Sequence, residues 1–386
     1  VDALFEMISG FTTTGATVVS DVEGLTKGSL FWRSFSHWIG GMGVLVFLLA
    51  IVPMAGGSHM NLMKAESPGP SVGKLVPKVR QTAKYLYIIY FALTMIEVIF
   101  LLFGGMNLFE ALTTSFGTAG TGGFAIWNDG FVSVSPYNQW VVTIFMLLFG
   151  VNFGFYFLIL TGKLRDALKF EEVRIYFIIV IAAAVFIFIN LRHFALYAPA
   201  EGIRQAFFQV ASIITTTGFA SADFNLWPET SRTILVLLMF IGACAGSTGG
   251  GIKVSRFIIA CKSFIKEIIS YLHPRSVKKI KIEGKPLEHE TLRATNVYFM
   301  TYMVIFAVSV LLVSIENKDL VTNFAAVAAT FNNIGPGLSL VGPMANFGHF
   351  TDFTKYILMF DMLAGRLEIF PMMLLFCPAV WKRRRA

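Results

Sequence analysis

Charged side chains are scarce in this sequence. Asp, Glu, Lys and Arg supply 14% of the 386 residues, where a soluble domain carries about 25%. With 55% hydrophobic residues and a mean hydropathy of +0.69, the chain has too little polar surface for a fold bathed in water. An integral membrane protein follows. Strand-like alternation of apolar and polar residues is also missing, which excludes a barrel and leaves helices as the spanning elements. Cysteine is limited to Cys244, Cys261 and Cys377, with no CxxC or Cys/His spacing. A structural metal site and a disulfide framework are thereby excluded, and the three read as small packing residues. Neither HExxH nor GxSxG occurs, and "GSTGGGIK" (246–253) breaks the GxxxxGK[ST] spacing of a phosphate loop. An enzyme is not expected.

Apolar length is what the sequence has. A crossing helix needs about 20 apolar residues. Runs at 35–53, 85–103, 140–160, 175–191 and 297–315 supply that length, and 233–264 and 356–378 do so with interruptions, giving seven expected spans. Between spans lie 2–15, 107–123, 201–218 and 320–335, each too short to cross and each closing on a Gly-rich phrase. Such a segment fits a short descending helix and a returning loop, a re-entrant hairpin. Irregular backbone at membrane depth is tolerated only inside protein or along water, so the four loops should line a cavity.

The unit of span, hairpin and span divides the chain into 1–53, 54–160, 161–270 with a broken inner helix, and 271–386 with the basic C-terminus. The first unit lacks its outer span, and the sequence opens at Val1 in mid-pattern, so helices upstream are expected. The net charge of +8 reads as basic cytoplasmic loops rather than nucleic-acid binding. The stretches 54–84, 161–174, 253–295 and 382–385 hold 23 of the 31 Lys and Arg residues. That bias puts the C-terminal "WKRRRA" in the cytoplasm and all four hairpins on the outer side. Repeats of one orientation imply an axis along the membrane normal. The expected fold is all-α, with pseudo-fourfold repeats of span, re-entrant pore loop and span around a central pore.

The four phrases are "TTTGA" (12–16), "GTGGF" (120–124), "TTTGF" (215–219) and "NNIGP" (332–336). A filter that strips water from a cation needs rings of backbone carbonyls, as in the "TVGYG" loops of potassium channels. Glycine permits the backbone angles that aim them. The candidate filter is therefore Thr13, Thr14 and Gly15; Thr121, Gly122 and Gly123; Thr216, Thr217 and Gly218; Asn333, Ile334 and Gly335. The doubled glycine of "GTGGF" predicts a less regular second edge. Phe5 and Ser9 stand at the same offsets before Gly15 as Phe208 and Ser212 do before Gly218.

"GACAGSTGGGIK" (242–253) cannot be a plain helix centre, because each glycine costs about 1 kcal/mol relative to Ala. It is either close small-residue packing or an intramembrane loop beneath the filter. The position just cytoplasmic of Gly218 favours a gate, with Gly246, Ser247, Thr248, Gly249, Gly250 and Gly251 as its residues. Lys253 is a gate residue or the first cytoplasmic positive charge. Arg366, inside a span, needs a partner; Asp361 and Glu368 are poorly spaced for it, and the carbonyls of 246–251 are the better expectation. Glu97 is expected to make a structural hydrogen bond, while Asn152 can be structural or functional.

On these residues the chain resembles the Trk/Ktr/HKT superfamily of potassium transporters, and looks most like its TrkH branch. The resemblance rests on "SGFTTTGATV" (9–18), "HWIGGMGVLVF" (37–47), "TGGF" (121–124), "TTTGF" (215–219), "GACAGSTGGGIKVSR" (242–256), "NNIGPG" (332–337) and "GRLEIFPMMLLF" (365–376). It implies potassium held at the filter carbonyls as the transported ion, no organic cofactor in this chain, and a gate at 246–251 with Arg366. It also implies a homodimer in the lipid of a bacterial inner membrane, controlled by a cytosolic nucleotide-binding ring of the TrkA type. The sodium-selective plant relatives tend to carry Ser at the first filter position, so Gly15 favours potassium. The alternatives are a sodium-dependent Ktr-like transporter and a proton-coupled cation symporter. The latter would need buried carboxylates as relays, and the chain offers mainly Glu97, Asp361 and Glu368.

Overall fold

The computed structural model describes residues 1–43, 79–273, 279–283, 285–367, 369–374, 376 and 378. The end of the expected span 35–53, most of the basic stretch 54–84, Glu368, Cys377 and the basic residues 382–385 lie outside the described residues. The described chain opens with α1 (Asp2–Phe11) and α2 (Lys27–Met42), then α3 (Val79–Phe103), α4 (Leu108–Gly120), α5 (Pro136–Phe149) and α6 (Phe153–Leu160). After the turn α7 (Leu164–Ala167) come α8 (Glu171–His193), α9 (Pro199–Ile214), α10 (Glu229–Met239) and α11 (Val254–Leu272). A minimal antiparallel hairpin, β1 (Lys281–Ile282) with β2 (Lys285–Pro286), precedes α12 (His289–Val313), α13 (Leu320–Phe331), α14 (Asp352–Arg366) and α15 (Ile369–Leu374).

Among the described residues three helices, α3, α8 and α12, are long and apolar enough to cross a membrane unbroken. Only 33%, 33% and 28% of their spanning windows are buried. Their exposed faces carry Ile88, Phe91 and Ile99, Ile178, Ile181 and Phe186, and Met300, Val304 and Leu311. Apolar residues at helical spacing facing outward are solvated by lipid. A short helix follows each of the three: α4, α9 and α13, with α1 as the counterpart in the first unit. Their 10 to 16 residues reach about 15–24 Å at 1.5 Å per residue, short of the roughly 30 Å hydrocarbon core. Local chemistry starts these helices where they must start. Asn107 and Glu110 form a reciprocal capping box on α4, the Asp319 side chain accepts from Thr322 N on α13, and Pro199 opens α9. Their bodies are buried, including Phe5, Phe208 and Phe331.

The inner helices are where the structure departs from the seven expected spans. The run 140–160 is not one helix. It breaks between α5 and α6 with a bend of 89°. The cause lies about a hundred residues downstream. Thr248 N donates to Phe149 O, Cys244 N to Gly150 O, and Phe153 N to Gly246 O at 3.0 Å. The groups freed by the break are thus satisfied by the loop that interrupts the third inner helix. Asn152 caps α6, accepting from Gly154 N at 2.8 Å, and stands beside Gly246. The helix expected from residue 35 begins at Lys27, where the Thr26 hydroxyl caps it. Cys244 is buried, but Cys261 is exposed and is no packing residue.

Candidate functional site

The four short helices end alike. Two or three residues past each end, the chain donates back through Thr14 N to Ser9 O (2.9 Å), Gly122 N to Gly117 O (2.9 Å), Thr217 N to Ser212 O (2.8 Å) and Ile334 N to Ala329 O (2.8 Å). Shorter-range bonds run from Thr13 N, Thr121 N, Thr216 N and Asn333 N to the carbonyls three residues before them. This is a Schellman-type ending, which requires a left-handed residue. Here that residue is not glycine: Thr13, Thr121, Thr216 and Asn333 have φ of 55°, 53°, 59° and 55°. A β-branched residue in that region is strained, and such strain collects at functional sites. A planar trans peptide points its N–H and C=O in opposite directions. Because the N–H groups face back toward the helix ends, the carbonyls of Thr12 and Thr13, Gly120 and Thr121, Thr215 and Thr216, and Asn332 and Asn333 face away from them.

The loops then close on one another. Gly15, Gly123, Gly218 and Gly335 have φ of 79°, 77°, 83° and 91°. A Cβ on Gly15 would meet Gly122 O; on Gly123, Thr217 O; on Gly218, Ile334 O; and on Gly335, Thr14 O, each closer than 3.0 Å. The four contacts form a cycle in chain order, with one carbonyl from each loop pressed against the glycine of the loop before it. The second loop, expected to be less regular, has the same angles and hydrogen bonds as the others. A pocket lined by all four glycines and by Ala16, Phe124, Phe219 and Pro336 opens on one side of the ring.

Beneath it lies the segment between α10 and α11. Gly250 N donates to Thr216 Oγ1 at 2.6 Å, and Thr121 Oγ1 donates to Thr248 O at 3.0 Å. A Cβ on Gly249 would meet Thr215 O, and one on Gly250 would meet Asn333 Cβ and Asn332 O. Gly249 to Gly251 therefore stand directly against the lowest carbonyls of the third and fourth loops. Arg366 donates to Thr248 O (2.7 Å), Gly40 O (2.6 Å) and Gly41 O (2.9 Å), joining this segment to the end of α2. Ser247 Oγ donates to Cys244 O, and Gly249 N to Ser247 Oγ. Lys253 is fully buried and its Nζ donates to Gly249 O, so it is not a cytoplasmic surface charge. The Thr13 hydroxyl and Asn333 Oδ1, also at this level, make no hydrogen bond among the described residues.

Several supporting residues gave no signal in the sequence. Glu172, in the first turn of α8, accepts from Ala245 N (2.7 Å) and Ser255 N (3.0 Å) and so holds both ends of the interrupting segment. His37 on α2 reaches Gly10 O and Phe124 N. Arg33, on α2, is buried. It pairs with Glu6 at 2.9 Å and lies 4.1 Å over the Phe124 ring. Glu6 in turn accepts from Thr17 Oγ1 and Val18 N behind the first loop. The Ser212 hydroxyl binds Phe219 O, whereas its counterpart Ser9 makes no such bond among the described residues. Glu97 is fully buried, and its hydrogen-bond partner is the Thr118 hydroxyl, which is shared with Thr114 O. Asp361 accepts from Ser309 Oγ at 2.7 Å. At the start of α13, Asp319 has its carboxyl held below the ordinary value by the Thr322 hydroxyl and N–H that it accepts from.

Comparison with known proteins gives one consistent answer. The TrkH family model, described as a cation transport protein, matches residues 1–383. The Trk system potassium uptake protein TrkH of Escherichia coli K12 is 39% identical over 390 residues, covering 99% of this chain and 79% of that protein. The Trk system potassium uptake protein TrkG of the same organism is 32% identical, with 99% and 79% covered. The crystal structure of the potassium transporter TrkH from Vibrio parahaemolyticus superimposes with a TM-score of 0.86 at 35% identity, covering 99% of this chain and 79% of that one.

Proposed function

From the premise that this chain belongs to the TrkH family of cation transport proteins, we propose that it carries potassium ions across a membrane through the ring of four loops. The observation that carries this reading is the cycle of glycine-to-carbonyl contacts through Gly15, Gly123, Gly218 and Gly335. A cation on the axis would exchange its water shell for the carbonyls of Thr13, Thr121, Thr216 and Asn333 and of Thr14, Gly122, Thr217 and Ile334. The exchange favours one ion because the loops are braced at a fixed spacing. The short helices aim their C-terminal ends at the ring, and their dipoles favour positive charge there. Gly246 to Gly251, with Lys253 and Arg366, act as the gate: the segment blocks the path below the ring. Arg366 holds it through hydrogen bonds worth about 1.5–3 kcal/mol each for a charged donor, and its charge adds a barrier to a departing cation.

The fuller reading places the protein in a bacterial inner membrane with the C-terminus in the cytoplasm. It works as a homodimer controlled by a nucleotide-binding ring of the TrkA type. The four units divide at 1–53, 54–160, 161–270 and 271–386. Potassium flux into liposomes with no proton or sodium gradient tests the pore. Flux is expected under a potassium gradient alone. A strict requirement for sodium or for a proton gradient would overturn it in favour of a Ktr-like transporter or a symporter using Glu97 or Asp361.

A further inference from the structure

The second loop carries Gly122 where the other three carry Thr14, Thr217 and Ile334. Its backbone nevertheless follows theirs, with Thr121 at φ 53° and Gly123 at φ 77°. What differs is the neighbour. A Cβ on Gly122 would fall inside the imidazole of His37, against its Cγ, Nδ1 and Cδ2. A Cβ on Gly120 would meet the His37 backbone carbonyl and Cβ. The ring is fully buried and lies tilted against Phe124, with centroids 4.3 Å apart and planes at 41°. His37 Nδ1 lies 2.8 Å from Gly10 O, at the end of the first short helix. Phe124 N, just past the second filter loop, points at His37 Nε2 from 3.3 Å.

These two contacts fix the ring's chemistry. Gly10 O can only accept, so Nδ1 carries the hydrogen. Phe124 N–H can only donate, so Nε2 must be a bare acceptor. The imidazole is therefore neutral and in one tautomer, and it ties two adjacent loops of the ring together.

Resting on the reading of the ring as a filter, we propose that His37 is a positioning residue for ion selection, setting the second loop against the first in place of a side chain on that loop. The pair His37 and Gly122 is one device: the ring fills the volume that the missing side chain vacates, and Nε2 fixes the peptide that follows Gly123. The apparent irregularity of "GTGGF" is then compensation for a brace supplied by α2.

The test uses the full chain in liposomes, with uptake of radioactive rubidium competed by potassium or by sodium. His37→Gln can present an acceptor near the Nε2 position, and His37→Asn can present a donor near Nδ1 but cannot reach Phe124. His37→Gln should keep most of the wild-type preference for potassium. His37→Asn and His37→Ala should lower it by about tenfold, the worth of one lost hydrogen bond. Gly122→Ala should lower the preference beside His37 but add nothing in the His37→Ala background. A ratio within about twofold of wild type in both Asn and Ala variants, where a lost bond should cost tenfold, overturns the proposal. So does an equal effect of Gly122→Ala in both backgrounds. If the wild type itself shows no preference, the potassium reading is what fails. The pairing then stands or falls on melting temperatures, where Gly122→Ala should be costly with His37 present and nearly silent without it.

Discussion

The ring and the segment beneath it are built on opposite principles. The ring is one geometry made four times: a short helix, a left-handed Thr or Asn, and a positive-φ glycine pressed on the next loop's carbonyl. Each loop rests on its neighbour through the same backbone contact, with side chains such as His37 and Ser212 added locally. The segment Gly246 to Gly251 occurs once. It is tied by unlike partners: Thr216 and Thr121 from above, Arg366 from α14, Glu172 from α8, and the broken end of α5 from the side. A rigid part that selects can be symmetric. Under the proposed function, the segment opens by releasing these separate bonds while the ring keeps its shape. Damage to the ring should therefore change which ion passes, and damage to the ties should change how much passes.

The largest expected effect is on the ring. Gly218→Ser introduces a Cβ against Ile334 O at a strained angle, costing about 2 kcal/mol. That corresponds to roughly a thirtyfold fall in the potassium-over-sodium ratio, read by competition in rubidium uptake. An unchanged ratio would remove Gly218 from the filter. Next is Arg366→Gln, which weakens three carbonyl ties. Unstimulated flux should rise about tenfold, as expected for losing one charged hydrogen bond, while the ion ratio stays put. A shifted ratio with unchanged flux would assign Arg366 to the ring. Glu172→Ala frees Ala245 N and Ser255 N. Its rise in flux should be smaller, since the contacts inside the membrane persist; no rise would make Glu172 a fold residue alone.

The smallest effect belongs to Asp319→Ala, which removes an N-cap from α13 at about 1 kcal/mol of stability. Its lowered carboxyl gives a signed pH dependence. The stabilisation is full above the ordinary carboxyl value of 3.8 and disappears as pH falls through the lower folded value. Melting curves of wild type and variant should converge in acid and separate at neutral pH. Curves parallel at every pH would show that the cap contributes nothing.

This contrast also explains what could be read in the sequence. The four loop glycines were legible as a set because repetition made four weak phrases one strong pattern, and the structure brings them together in one ring. Arg366 stood out because an arginine inside a span demands a partner. The bend at Gly150 to Asn152 was not legible, because it depends on groups that arrive from residues 244–248. Nothing in "HWIGGMG" singles out the role of His37, and nothing in "KFEEVR" singles out Glu172. Lys253 stayed open between two readings, because sequence shows where a charge falls along a chain but not which carbonyl, here Gly249 O, turns to meet it. Periodic features announce themselves; single long-range hydrogen bonds do not.

The central claim is that four unlike loops make one cation path. The most direct measurement is anomalous scattering from crystals of the full chain grown with rubidium. The account predicts peaks on the axis enclosed by Gly15, Gly123, Gly218 and Gly335, bounded by the carbonyls of the preceding residues, and none between Gly249 and the lowest ring. Rubidium found only away from that axis, with the ring empty, would contradict it.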